Sequence, residues 1–306
     1  MTTNFRDASV TMRKPMSAAM EMQRAGNLQF AAATLSLASL SVRKNADNLS
    51  PTELAALRTS YKNAQAITDN RGYNHFAGLH GIPNWYCWHH SHLNTGGVTA
   101  NLFLPWHRAY LLYFDKAMRD QAPPAPAPKV GLPWWNWASA TSHATGVPAA
   151  FSVATVGGQP NPLFKAKIVA PTATPPINRF TRRFPGNPNA LPTQAQVNAL
   201  LNLSQFTDFT NQLEGIHDQI HGWTGGNNGS IGGDMGSLGT AAWDPIFWSH
   251  HCMIDRLWHL WQFKHGVNNI TPSLLPMVLA PFGLKVQDVL STNALGYTYA
   301  VSFTQL

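Results

Sequence analysis

The stretch LEGIHDQIHGW, residues 213–223, places two histidines four positions apart, at His217 and His221. Residues at this spacing lie on one face of an α-helix, about one turn from each other, so two imidazoles can hold one metal ion. The helical spacing of the apolar side chains predicts a helix that ends before the glycine-rich residues 225–239. The apolar positions are Phe206, Phe209, Leu213, Ile216 and Ile220.

The stretch WDPIFWSHHCMIDRLWHLW, residues 243–261, supplies a third imidazole for such a site. Asp244 and Pro245 are typical of a helix start, and His250 and His251 follow them. Asp255 comes one turn after His251, where its carboxylate either orients that imidazole or pairs with Arg108 or Arg256. Histidines on two helices therefore predict a metal centre.

A second group of histidines repeats this pattern. Of the thirteen histidines, six lie at 75, 80, 89, 90, 92 and 107 and six at 217, 221, 250, 251, 259 and 265. Pro105 suits the first turn of a helix that carries His107, while His80 and the 89–92 group are expected on the preceding loop. His75, His143, His250, His259 and His265 are expected outside the ligand set. Two three-histidine sites in one helical core predict a dinuclear centre.

The metal is inferred from the ligand type. Imidazole ligands without carboxylate or thiolate suit copper, zinc, iron or nickel. Zinc hydrolases usually include Asp or Glu, and the motif HExxH is absent. A pair of copper ions that binds O2 is therefore favoured.

The rest of the chain predicts a mainly α fold. Ser50 to Glu53 form a capping box with proline at the first helical position, so a helix is expected over 51–67. Prolines from 123 to about 200 predict irregular loops with few short strands rather than a separate domain. The expected architecture is a four-helix bundle core that holds the dinuclear site.

Composition argues against several function classes. The net charge is +7 and the sequence pI about 9.6, but only 11% of residues are charged and Arg182-Arg183 is the densest basic spot. Neither nucleic acid nor a membrane is an expected partner, and no apolar stretch of about 20 residues could span a membrane. Two cysteines cannot form a disulfide framework. Polar residues interrupt the apolar patch at 30–42, so no signal peptide is predicted and the cytoplasm is the expected location.

These stretches resemble the type 3 copper family, which includes tyrosinases, catechol oxidases and, more distantly, molluscan hemocyanins. LHGIPNWYCWHH at 79–90 resembles the first-copper loop, FLPWHRAY at 103–110 the first-copper helix, and the two stretches quoted above the second-copper segments. LGYTY at 295–299 is similar to the tyrosine motif that ends the catalytic domain in many members. The resemblance implies one tyrosinase-like catalytic domain over 1–306, a copper-binding core at about 70–265, and no C-terminal shielding domain.

The resemblance also implies the copper ligands. His80, a middle-loop histidine and His107 would hold the first copper, and His217, His221 and His251 the second, because the family uses the second residue of the double histidine. Many relatives place the middle ligand nine residues before the helix histidine, a position that Val98 occupies here. Cys87-Trp88-His89 fits the Cys-x-His arrangement that forms a thioether in some members, which favours His89 over His90 and His92.

The implied reaction is the oxidation of phenols or catechols by O2 to o-quinones. Glu214 resembles a family glutamate that holds a water acting as base, and Asp218 stands where many tyrosinases have Asn, which makes catechol oxidation the firmer expectation. Gly222 implies an open mouth of the site. Phe103 and Phe247 resemble aromatics that close the pocket around the copper pair, and Phe247 is also placed to stack on a substrate ring.

Alternatives remain within and outside this reading. Oxidation of o-aminophenols is a variant of the same chemistry. A non-catalytic O2 carrier similar to a hemocyanin unit, or a zinc protein without a redox role, would be a different class. The implied partners are a small phenolic substrate and O2, with a copper-delivery partner as for some bacterial relatives. The oligomeric state is not predicted.

Overall fold

The computed structural model describes residues 40–89, 93–95 and 98–300. Helices dominate this part of the chain, and the histidine clusters lie at its centre. Numbered in chain order, the α-helices are α1 (Pro51–Ala66), α2 (Tyr73–His80), α3 (Phe103–Asp120), α4 (Ala140–Thr145), α5 (Ala149–Ser152), α6 (Gln194–Leu201), α7 (Phe206–Gly225) and α8 (Ile246–His265).

The strands are short and pair in twos. β1 (Ser41–Arg43) pairs in parallel with β12 (Tyr297–Tyr299), so Ser41 lies opposite Tyr297. Five antiparallel pairs involve the other described strands. They are β2 (Leu93–Thr95) with β3 (Val98–Ala100), β4 (Thr155–Val156) with β5 (Gln159–Pro160), β6 (Lys167–Ala170) with β7 (Ile177–Phe180), β8 (Asn227–Asn228) with β9 (Ile231–Gly232), and β10 (Val278–Leu279) with β11 (Leu284–Lys285).

The predicted mainly α class is confirmed, and the capping signals account for several helix starts. In α1 the Ser50 side chain accepts from the Glu53 N–H at 3.2 Å, and the Glu53 carboxylate accepts from the Ser50 N–H at 2.9 Å. At the start of α8 the Asp244 carboxylate accepts from the Ile246 N–H at 3.2 Å. These bonds satisfy backbone donors that have no partner inside the helix.

Helices α3 and α8 pack against each other at the centre of the core. The Phe114 ring stacks on Trp248 with a centroid distance of 3.4 Å and an interplanar angle of 12°. Five further tryptophans are buried in the core, namely Trp134, Trp135, Trp137, Trp258 and Trp261. Stacked aromatic rings bury large apolar areas, which fixes the relative position of the two helices.

One prediction about the centre is wrong. His80 was expected on a loop, but it is the last residue of α2. This helix has only eight residues, between Gly72 and Gly81, and most of them are buried. Its sequence therefore lacks the alternation of apolar and polar faces by which a helix is recognised. The four helices around the site are therefore α2, α3, α7 and α8, while α1 packs outside them on α2 and α3.

The proline-rich region is less irregular than predicted. It contains α4, α5, α6 and the β6–β7 hairpin in addition to loops. Thr193 and Gln196 form a capping box at the start of α6, with the Gln196 side chain accepting from the Thr193 N–H at 2.8 Å. The Thr-x-x-Gln pattern of this capping box is visible in the sequence, but the surrounding prolines favoured the prediction of loops.

A buried cluster of charges ties the ends of the described chain to the core. Asp255 on α8 accepts from Arg108 on α3 at 2.5 Å and from the hydroxyls of Tyr297 at 2.7 Å and Tyr299 at 2.6 Å. Arg43 on β1 lies 3.3 Å from the same carboxylate. Strands β1 and β12 are thereby bound to the α3–α8 pair.

Two groups of expectations lie outside the described residues. They concern most of the apolar patch at 30–42 and the alternative ligands His90 and His92. In the described part of the chain, no helix has both the length and the hydropathy of a membrane span.

Candidate metal centre

The second histidine group, around His217, His221 and His251, is held by α7, α8 and the glycine-rich segment between them. His221 Nδ1–H donates to the Met235 carbonyl at 2.7 Å, and His217 Nδ1–H donates to the Asp218 carboxylate at 3.0 Å. Because each Nδ1 carries the proton, each Nε2 presents a lone pair. Both of these Nε2 atoms lie 3.3 Å from Nε2 of His251.

The glycines place the Met235 carbonyl against α7. A Cβ on Gly225 would lie 2.3 Å from the Gly236 nitrogen, and a Cβ on Gly233 would lie 2.1 Å from the Gly225 oxygen. Only residues without a side chain allow such an approach of two backbones. The glycine-rich stretch predicted to end a helix therefore also orients His221, a role that sequence reasoning missed.

The first group is built from α2, the following loop and α3. Nε2 of His80 lies 2.9 Å from Nε2 of His89. His107 Nδ1–H donates to the Phe103 carbonyl at 2.8 Å, and its Nε2 has no hydrogen-bond partner among the described residues. The structure thus brings His89 together with His80 and His107.

The two groups face each other. The His107 and His251 rings stack with centroids 4.4 Å apart and an interplanar angle of 14°, and the His89 and His217 rings are 5.2 Å apart. All six rings are buried. The sites form one centre rather than two separate ones.

Burial keeps these imidazoles neutral. Desolvation lowers the pKa of His107 to about 3 and that of His221 to about 4. It also lowers the pKa of the other buried histidines well below the ordinary value, namely His80, His217, His250 and His251. Neutral imidazole is the form that binds a metal ion.

The donor set fits a copper pair. Lone pairs directed at each other repel unless a cation lies among them, and a tetrahedral site with metal–nitrogen bonds of about 2.0 Å has nitrogens about 3.3 Å apart. The distances from His251 to His217 and His221 agree with that spacing. The groups that can hold metal are His80, His89 and His107, and His217, His221, His250 and His251.

His250 was expected outside the ligand set, yet it lies within the second group. Its ring stacks on His217 with centroids 5.2 Å apart, and neither ring nitrogen has a hydrogen-bond partner among the described residues. Adjacent residues on a helix point about 100° apart, so sequence spacing alone gave no reason to expect both near the centre.

Asp255 does not orient His251. Of the two roles left open by the sequence, the structure has the ion pair with Arg108. Its carboxylate contacts Arg108, Arg43 and the hydroxyls of two tyrosines. Desolvation by burial acts to raise the pKa of Asp255, but the two arginines and the Tyr299 hydroxyl outweigh it and lower this pKa below its ordinary value. It stabilises the helix pair that carries His107 and His251.

The predicted catalytic carboxylates lie on α7. Glu214 is buried one turn before His217. Asp218 is partly exposed and accepts a hydrogen bond from His217 Nδ1–H. It therefore acts on the centre indirectly, by holding the His217 ring. This contact gives Asp218 a role in orienting a histidine.

The remaining predicted site residues surround the imidazoles. Phe103 packs on His107 and His217 with centroids 4.8 Å away from each, and Phe247 packs on His251 at 4.1 Å and on His80 at 4.8 Å. Both phenylalanines are buried. Gly222 is exposed, and a Cβ built on it would meet no atom within 4 Å.

Other histidines lie elsewhere. His143 bonds to the Pro192 carbonyl at 3.1 Å, His259 to the Thr292 hydroxyl at 3.1 Å, and His265 to the Leu201 carbonyl at 2.9 Å. His75 packs edge-on against Phe76. None of these four belongs to the two groups that can hold metal.

Comparisons with known proteins agree with this geometry. The family model for the common central domain of tyrosinase matches residues 70–264. Hemocyanin units G and H of Sepia officinalis are 31% identical over 234 residues, which is 72% of this chain and 37% of theirs. A Streptomyces antibioticus tyrosinase is 31% identical over 198 residues, 58% of this chain and 68% of its own.

A tyrosinase structure from Burkholderia thailandensis has the same fold. The TM-score is 0.70 at 20% identity, over 87% of this chain and 75% of that one. The chain spans about a third of the length of the Sepia relative, so a match to that protein concerns only part of it.

Proposed function

Because the chain belongs to the tyrosinase family, whose common central domain matches residues 70–264, we propose that it is a copper-dependent oxidase of phenols or catechols. The observation that carries this proposal is the pair of facing histidine groups, one of three residues and one of four, with neutral imidazoles and converging Nε2 atoms. Such a donor set suits copper and leaves room for O2.

A bound copper pair supplies the two-electron redox chemistry that O2 reduction requires. Two catechols and one O2 give two o-quinones and two waters. One monophenol and one O2 give one o-quinone and one water. The tasks left to the protein are to hold the metals at a fixed spacing, to exclude water and to remove protons.

Each task has a candidate in the structure. Phe103 and Phe247 cover the imidazoles with apolar surface, which excludes water from the centre. Glu214, one turn before His217, is the proposed holder of the water that takes the phenol proton. Asp218 keeps the His217 ring in place.

Access to the centre is proposed on the Gly222 side. This residue directly follows His221, is exposed, and has open space where a side chain would start. A phenol can therefore approach His221 without displacing a side chain at position 222.

The second candidate is a reversible O2 carrier. It is favoured by the hemocyanin match, which is as high in identity as the tyrosinase match and covers more of this chain. A carrier would bind O2 with the same histidines but would not turn over a phenol.

The test is O2 uptake by the copper-loaded protein with 4-methylcatechol, tyramine or 2-aminophenol, combined with metal analysis of the protein as isolated and after copper loading. We expect two coppers per chain and quinone formation from the catechol. The His107→Ala variant is expected to lose one copper and all oxidase activity, while His143→Ala, remote from the centre, is the matched control. Absorption changes on oxygenation that reverse under nitrogen, without turnover of any substrate, would favour the carrier. Zinc in place of copper would contradict both.

A further inference from the structure

A second cleft lies outside the histidine centre. It is bounded by residues around 147–152, 164–165 and 181–185, and has a volume of about 390 Å³. None of the candidate metal ligands lines it. Pockets for small molecules typically measure roughly 300–1,000 Å³, so this cleft is large enough for one or two aromatic rings.

The walls of the cleft are largely apolar and firmly held. Phe164 and Phe184 contribute the aromatic surface. Below them the Arg183 side chain, only 8% exposed, donates to the Asp244 carboxylate at 3.0 Å, to the Phe151 carbonyl at 2.9 Å and to the Phe164 carbonyl. Arg183 therefore ties the wall segments together while Asp244 neutralises its charge.

The rim of the cleft carries positive charge that is not neutralised. Lys165 and Arg182 are both exposed, and neither belongs to an ion pair within the described ranges. The backbone of Arg182 is fixed, because its N–H donates to the Asp234 carboxylate at 2.6 Å. Its guanidinium thus starts from a rigid point while remaining available to a ligand.

We propose that this cleft binds a small aromatic carboxylate. An aromatic ring in the cleft would lie against Phe164 or Phe184, which both line it, and offset or edge-to-face packing would stabilise it. The carboxylate then lies at the rim, where the guanidinium of Arg182 can donate two hydrogen bonds to it and the Lys165 ammonium can donate another. A neutral ring of the same shape would lack these charge-assisted bonds.

The inference does not depend on the copper chemistry. The cleft is formed by side chains other than the histidines, so binding is expected with and without metal. Failure of the oxidase assay would leave this site untouched, and failure of this site would leave the oxidase proposal untouched.

The experiment is a fluorescence titration at pH 7.5 with 2-naphthoate as the probe, on both copper-loaded and metal-free protein. Naphthalene-2-carboxamide serves as the uncharged analogue. The variants are Arg182→Gln and Lys165→Gln, which change exposed side chains. Lys167→Gln is the matched control, because Lys167 is also exposed and basic but does not line the cleft.

We expect one 2-naphthoate per chain in both metal states, in addition to any copper-dependent site. Each cleft variant should raise the Kd about tenfold, because it removes a charge-assisted hydrogen bond, while Lys167→Gln should change it less than about twofold. Binding that requires copper, binding unchanged by both cleft variants, equal affinity for the carboxamide, or no binding at millimolar probe would each overturn the proposal.

Discussion

Asp218 bonds to a ring nitrogen of the candidate ligand His217, at 3.0 Å. The corresponding partners of His107 and His221 are neutral carbonyls. A carboxylate on the outer nitrogen makes an imidazole a stronger metal donor, so Asp218 is expected to strengthen the bond from His217 to a metal ion.

The first prediction concerns this contact. Asp218→Ala should weaken copper binding about 10–100-fold, because a partner that orients a metal ligand is lost. Asp218→Asn is the matched variant, since its amide oxygen can still accept from His217 Nδ1. Competition with a copper chelator, followed by metal analysis, measures the difference. Equal copper affinity in all three proteins would contradict the assigned contact.

A second prediction concerns the residue that follows His221. Gly222→Arg should lower the rate on bulky phenols relative to small ones, because the new side chain extends into space that is open in the structure. Gly222→Ala adds only a methyl group and should leave the ratio unchanged. Relative kcat/KM values for a small and a bulky catechol give the answer, and an unaltered ratio in the arginine variant would place the entrance elsewhere.

Among the elements, the contact between α7 and the glycine-rich segment has the most direct effect on the centre. Gly225 and Gly233 allow the backbones to approach closely enough for the Met235 carbonyl to reach His221. The helix therefore depends on a loop to orient one of its own side chains.

The third prediction compares two glycines of α7. Gly225→Ala should lower Tm and copper content, because its Cβ would lie 2.3 Å from backbone in the opposing loop. Gly215→Ala faces open space and should raise the free energy of unfolding by up to about 1 kcal/mol, the usual gain for this change inside a helix. Thermal denaturation and metal analysis of both variants test this pair. If both variants had the same Tm and copper content, the close approach of the Gly225 backbone to the opposing loop would be contradicted.

The elements also show what a sequence can predict. α1, α3, α7 and α8 were expected within about two residues of their observed starts, because proline, capping residues and a long apolar period coincide in them. α2 and α6 were missed, because eight residues give only about two turns of pattern. The carbonyls that orient His107 and His221 carry no side-chain signature, so only the fold reveals them.

For the whole molecule, the charge cluster at Asp255 joins parts of the chain that are far apart in sequence. Arg43 and Asp255 are 212 positions apart, and no periodic pattern connects them. Removing one member leaves buried charges without a partner, which costs more than the pair itself contributes.

The fourth prediction follows from this asymmetry. Asp255→Asn should lower the free energy of unfolding by about 3–5 kcal/mol, because Arg43 and Arg108 would both lose the buried carboxylate that pairs with them. Asp69→Asn, in the exposed pair with Arg71, is the control and should have little effect. Urea denaturation measures both. A small effect at Asp255 would mean that solvent reaches the cluster.

The fifth prediction concerns pH. The pKa values of six buried histidines are lowered by desolvation, to about 3 for His107 and about 4 for His221. Because the folded protein holds these histidines neutral, it has its full stability at pH values above about 6.5, the histidine pKa in the unfolded chain. The stability is lost as the pH falls from there towards the histidine pKa in the folded protein, because protons then bind the unfolded chain preferentially. For His107 and His221 the loss of stability between pH 7.5 and 5.0 is about 2 kcal/mol each. Asp244, whose pKa burial raises to about 6, acts in the opposite direction but is a single group.

Thermal denaturation of the metal-free protein at pH 7.5 and 5.0 tests this expectation. The Tm should fall sharply at pH 5.0, and less so in the copper-loaded protein, because bound metal competes with protons for the same nitrogens. A metal-free Tm that does not change with pH would show that the histidines are more hydrated than the structure indicates.

The attachment of β12 to Asp255 has a consequence for biosynthesis. The ribosome makes residues 297–299 after all the histidines. Until these three residues emerge, the Asp255 carboxylate lacks the hydrogen bonds that the Tyr297 and Tyr299 hydroxyls donate to it in the folded protein. Until then, the buried carboxylate that joins α3 to α8 has only part of its hydrogen-bond partners. We expect tight metal uptake to begin only after β12 has left the ribosome and paired with β1, which was synthesised more than 250 residues earlier.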